Sequence, residues 1–145
     1  MMVAWALLGI LSAGQFAAEV QAQGPKAAVQ RLVDGGDWAR VQRAIGNGAP
    51  DWIALAPQIA RGGDPDLQEQ VGQALAAALP RSPAAVLAVL DPRRGPGVGV
   101  QIVCGSAFAG DGARIAAARA AVEAVSPVAG GKAREVCLKE LAAAG

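Results

Sequence analysis

Glycine and proline cut this chain into short lengths, and that punctuation limits what it can fold into. Gly-Gly pairs stand at 35–36, 62–63 and 130–131, Asp-Pro at 64–65 and 91–92, and Ser-Pro at 82–83 and 126–127. A glycine ends a helix because it adopts the left-handed turn that other residues avoid. Asp-Pro and Ser-Pro begin one: the side-chain oxygen takes an unpaired N–H, and the proline ring presets the first helical φ. Between the marks, apolar residues recur every three or four positions rather than every two, the helical period. The chain has no Thr, no Tyr and only two Phe, so the residues that favour strands are scarce. The expected fold is all-α, a compact bundle of about six or seven short helices with one disulfide.

The segments follow in order. Lys26 to Val33 reads as a first short helix, stopped by Gly35-Gly36. Asp37 is expected to cap the next, with Trp38, Val41 and Ile45 on one face. Pro50 and Asp51 open a third, lined by Trp52, Leu55 and Ile59 and carrying Pro57, which should kink or shorten it. These two segments, "DWARVQRAIGNG" and "DWIALAPQIARG", follow one plan: Asp caps, Trp and aliphatics pack, Gly stops. Both Trp rings are expected to be largely buried against that core. Asp64 caps the clearest helix, in which Leu67, Val71, Leu75 and Leu79 step by four. Ser82 caps a short apolar one holding Leu87 and Leu90. Asp91 to Gln101, "DPRRGPGVGVQ", is the one long break. The next segment, with Cys104, is either a short helix or extended. Asp111 caps Gly112 to Ser126, Pro127 to Gly131 makes a turn, and Lys132 to Ala143 is the last helix. The organisation is thus N-terminal helices over 26–90, a loop over 91–101, and a C-terminal helical hairpin over 102–145.

The N-terminus reads as an export signal. An apolar stretch from Val3 to Leu11 leads to Val20-Gln21-Ala22, small at the positions a leader peptidase inspects, so residues 1–22 are expected to be removed before Gln23. No Lys or Arg precedes the stretch, and it is too short to span a bilayer, so no stable membrane span is expected after cleavage. Removing Glu19 and no basic residue takes 12 acids to 11 against 13 basic residues, a net charge of +2. That balance offers no surface for nucleic acid. Cys104 and Cys137 are the only cysteines. An even pair in an exported chain reads as a disulfide, whereas a redox-active pair would sit closer, as Cys-x-x-Cys.

Catalytic motifs fail on inspection. "GPGVGV" (95–100) neither follows a strand nor opens a helix, as a nucleotide loop must. "GGKA" (130–133) has Ala133 where a phosphate loop needs a hydroxyl. "DPDLQE" (64–69) has Gln68 and Glu69 where a calcium loop needs a ligand and a glycine. With no His there is no imidazole base or imidazole metal ligand. Neither catalytic residue, metal site nor cofactor is expected. Arg93 and Arg94, in the long loop, are the candidate partner-binding residues, since guanidinium forks on a held loop suit a protein contact.

"GDPDLQEQVGQALAAALP" followed by "SPAAVLAVL" resembles a HEAT-type helical hairpin over 63–90, with no second copy at that period. The leader, the two Asp-Trp segments, Cys104 and "REVCLKEL" together resemble small exported helical proteins of Gram-negative bacteria with no assigned activity. That resemblance implies a periplasmic or secreted location and carries over no catalytic residue. The expectation is a non-enzymatic protein-binding module, such as a periplasmic immunity or inhibitor protein or an envelope accessory protein, whose partner is another envelope protein. A carboxylate-only enzyme acting on cell-wall glycan and a carrier of a small apolar ligand stay open as alternatives.

Overall fold

The computed structural model describes residues 11–93 and 97–145, and the regular elements among them are helical. They are α1 (Ala13–Gln23), α2 (Pro25–Asp34), α3 (Trp38–Gly46), α4 (Pro50–Gly62), α5 (Pro65–Ala78), α6 (Pro83–Val89), α7 (Val100–Val103), α8 (Gly112–Ala124) and α9 (Pro127–Ala144), with a 3-10 turn at Ser106–Phe108 before α8. The fold is all-α and carries the Cys104–Cys137 disulfide. Helix α4 is the hub, touching α1, α2, α3, α5 and α6. Helix α6 packs on α4 at one side and on α8 and α9 at the other, and α7 lies between α5 and α9. These two short helices join the N-terminal group to the C-terminal hairpin. Although α5 and α6 touch, the main packing of α5 is with α3 and that of α6 is with α4.

The caps divide into those that work as read and those that do not. Asp64 accepts the Leu67 N–H at 2.8 Å and Asp111 accepts that of Arg114 at 3.1 Å. Asp37 caps nothing: its own backbone is already helical, so its carboxylate turns to Arg40 instead, at 3.2 Å. Ala49 is the residue before α4, and Asp51 accepts only the neighbouring Trp52 N–H. The Ser82 hydroxyl likewise leaves its own helix and donates to the Gly48 carbonyl at 2.8 Å, tying the start of α6 to the end of α3. The expected turn at 127–131 is instead the first turn of α9, capped by Ser126 through the Ala129 N–H at 3.1 Å. The break comes at Gly131, with φ +56°. Pro57 sits inside α4, which runs on to Gly62.

The core follows the leucine step. Val41, Ile45, Trp52, Ile59, Leu67, Val71, Leu75, Leu79, Leu87 and Leu90 are buried. Each large aliphatic contributes about 1.5–3 kcal/mol, offset by the chain entropy that ordering it costs. Trp38 and Leu55 lie at the margin, half-buried. Trp38 sits there because its indole N–H needs a partner and finds the Gln70 side-chain Oε1 at 2.7 Å, on the wetter side of α5. The two Asp-Trp segments are therefore not equivalent.

The partner of Trp52 is Phe16, whose ring centre lies 5.9 Å away, tilted by 48°. Phe16 belongs to α1, in the stretch the sequence assigns to the leader, and it is fully buried. Ser12 and Gln15 form a reciprocal capping box at the start of α1. Its far side is held by Glu19, whose Oε1 lies 2.8 Å from Arg31 on α2. That contact is an ion pair without hydrogen-bond alignment, since the buried Oε1 has no hydrogen-bond donor. The Ala22–Gln23 bond falls in the last turn of α1.

Candidate functional site

The long break is a loop closed at its base, not a free linker. The Asp91 N–H donates to the Val98 carbonyl at 2.9 Å, and the Val100 N–H donates back to the Asp91 carbonyl at 3.1 Å. This is a single parallel bridge between Asp91 and Gly99. The Asp91 carboxylate also accepts the Arg93 N–H at 2.8 Å, the local turn that short acidic side chains favour. Arg93 is exposed, and Arg94 lies outside the described residues.

On its return the loop lies flat against α5. Gly97 has φ +75°, and a Cβ there would stand 2.8 Å from the Gln68 carbonyl oxygen. A Cβ on Gly72 would meet the Gly97 carbonyl at 3.0 Å and the Ile102 side chain at 2.8 Å. Two glycines thus let backbone approach backbone where a side chain on either would hold the loop off. Behind this contact Val100 and Val103 are buried, and so are both half-cystines. The cysteine Cα atoms are 5.3 Å apart, which fits a disulfide. The bridge fixes the end of α7 to the middle of α9, and so anchors the loop's exit.

Beside the loop is an open cleft of about 360 Å³, lined by Pro65, Gln68, Glu69, Gln73, Ile102 and Ser106 among others. Its polar groups do not converge. The Gln68 amide is spent on the Ala60 and Gly63 carbonyls, at 3.0 and 3.3 Å. Glu69 accepts from Gln73 one turn along, at 3.4 Å. The cleft holds one carboxylate, whereas glycoside hydrolysis by the usual route needs two across the scissile bond.

Elsewhere the charged groups pair locally. Arg119 meets Glu123 at 3.2 Å, and Lys132 and Lys139 flank Glu135 at 3.4 and 3.6 Å. The Lys132 hydrogen bond and charge, helped by the Lys139 charge, hold the Glu135 carboxyl below its ordinary value. Among the described residues no three His, Cys, Asp or Glu side chains come together as a metal would require.

The structure brings Cys104 and Cys137 together, leaves Arg93 exposed in the turn after Asp91, and does not describe Arg94. The sequence reading missed the cleft and the glycine contact. Gly97 was read only as part of the long break, though Gly72, a lone glycine between Val71 and Gln73 inside the leucine-stepped helix, was the available signal of a close backbone approach. No family model, curated protein or solved structure matches this chain significantly.

Proposed function

We propose that this chain is a non-enzymatic protein-binding module exported to an oxidising compartment, with the 91–99 loop as its contact surface. One observation carries the reading: Asp91 bridges to Gly99 at the base of the break and Gly97 lies against α5, while Arg93 between them is exposed. The Arg93 backbone is already held by the Asp91 carboxylate, which lowers the entropy cost of docking there, and a guanidinium fork suits the carboxylates of a partner. A periplasmic immunity or inhibitor protein and an envelope accessory factor are the concrete forms of this reading. The disulfide supports export, because cytosolic thiols are kept reduced.

The test is affinity capture from envelope extract at micromolar protein, with Arg93→Glu as the control. A single partner retained by the wild type and lost in the variant is expected. Capture of none, or equal capture by both, would sink the loop as the contact. Intact mass after alkylation without reductant checks the compartment: two alkylated thiols in protein taken from cells would end the export reading.

The cleft favours a second reading, a carrier of a small ligand. Its volume lies at the lower end of the range that ligand sites occupy. Native mass spectrometry of protein purified without denaturant should then show an adduct mass, and the apo mass alone would argue against it.

A further inference from the structure

We infer that α1 from Gly14 onward is a permanent part of the mature domain, so that the leader peptidase site lies ahead of Phe16, at Ala13–Gly14, and not at Ala22–Gln23. The inference rests on the export reading for the existence of a cut; packing puts that cut ahead of Phe16, and the sequence selects the bond.

A leader helix is discarded, so its side chains owe nothing to the domain. The side chains of α1 are committed to it. Phe16 is fully buried and its ring packs on Trp52, which is itself only 6% exposed. Glu19 is drawn down to Arg31 on α2, its side chain 15% exposed. Val20 packs against the same core. Helix α1 lies on both α2 and α4, the hub of the N-terminal group. A cut at Ala22–Gln23 would remove all of this at once, leaving Trp52 uncovered in the finished protein and Arg31 without its acid. An uncovered tryptophan beside further apolar surface is an association hazard that a finished exported domain would have to carry permanently.

The sequence offers the alternative site. Leu11-Ser12-Ala13 places a small residue at the −1 position, with Leu11, the end of the apolar stretch and larger than the residue such sites favour, at −3. Cutting there removes the Ser12 cap and the small buried Ala13 but leaves Phe16, Glu19 and Val20 in place. Exposure does not separate the two sites, since Gly14, Ala22 and Gln23 are all exposed; the burial of Phe16 does.

The experiment is to express the full chain in a Gram-negative host, isolate it from the periplasmic fraction, and read its N-terminus by intact mass and Edman sequencing. A start at Gly14 is expected. A start at Gln23 with the disulfide formed would uphold export and overturn this inference. An uncut, reduced chain in the cytosol would instead sink the export reading, and the cleavage site proposed here with it. A second measurement asks whether α1 is structural. Phe16→Ala in the full chain should lower Tm by on the order of 10 °C, as loss of a buried aromatic does in a domain of this size, and shift Trp emission to the red. Unchanged Tm and emission would show that α1 contributes nothing to the fold, and would overturn the inference from the other side.

Discussion

The helices α4 and α5 and the hairpin of α8 and α9 solve the same packing problem with different means. Helix α4 buries Trp52, Ile53 and Ile59, and α5 buries Leu67, Val71 and Leu75. Helix α8 buries Ile115, Ala118 and Val122, and α9 buries Ala133, Cys137 and Leu141, with small residues for much of the rest. Alanine makes a good helix but brings little apolar area to a contact. The hairpin makes up the difference with other devices. The disulfide ties α9 to the end of α7. Phe108 fills the space beneath the 3-10 turn, with the Arg114 guanidinium 4.9 Å from its ring centre. Arg134 reaches from α9 to the open end of α8, its Nε donating to the Val125 carbonyl at 2.7 Å and an NH2 group to that of Glu123 at 3.3 Å. Side-chain volume holds one half and specific ties hold the other.

The contrast is most directly broken by attacking each half at its own support. Leu75→Ala empties a fully buried site on α5 and should cost roughly 4 kcal/mol in urea unfolding, lowering the whole transition. Replacing both cysteines by Ser should cost roughly 3–4 kcal/mol, since the bridge closes 33 residues of chain and restrains the unfolded state. The two losses should differ in place as well as size. Hydrogen exchange should speed up first in α8 and α9 when the bridge is removed, and across α4 and α5 when Leu75 is truncated. Uniform loss of protection in both variants would show that the halves form one cooperative unit and that the division is only geometric. On a smaller scale, Arg134→Ala should cost about 1 kcal/mol by leaving two helix-end carbonyls to water.

Caps sharpen the comparison at the local level, and they also show what a sequence can and cannot reveal. Asp64→Ala should cost about 1 kcal/mol, whereas Asp37→Ala should cost a few tenths at most, its ion pair with Arg40 being partly exposed and screened. Equal losses would mean that Asp37 caps in solution. Both aspartates precede a helix by the same local rule, yet only Asp64 is followed by a proline that fixes the helix start one residue on. The helical period and the leucine step of α5 were legible because they depend on neighbours three and four residues away. The disulfide was legible because there was only one way to pair two cysteines. Three things were not. The Phe16–Trp52 contact joins residues far apart, one of them in a stretch whose composition also suits a leader. The Trp38–Gln70 bond depended on where α5 would lie. The fit of Gly97 onto Gly72 required knowing that the loop returns across α5, and nothing within the loop itself encodes that return.

The smallest expected effect tests the exposed face of the hairpin. Glu135 stands between Lys132 and Lys139 on α9, and their hydrogen bond and charge lower its carboxyl pKa in the folded state. The sign follows from linkage. A carboxyl whose pKa is lower folded than unfolded contributes stability above its unfolded value, and loses it as pH falls through the folded one. The contribution should therefore be complete at neutral pH and disappear only in the acid range, below the ordinary carboxylate value of about 4. An NMR titration of the Glu135 side chain should show a midpoint below that of an unpaired glutamate, moving up when Lys132 is changed to Gln and again when 0.5 M salt is added. A midpoint that ignores both would mean that the lysines are solvated rather than paired. The exposed face of α9 would then give the hairpin nothing, leaving its stability to its buried side chains, the disulfide, Phe108 and Arg134.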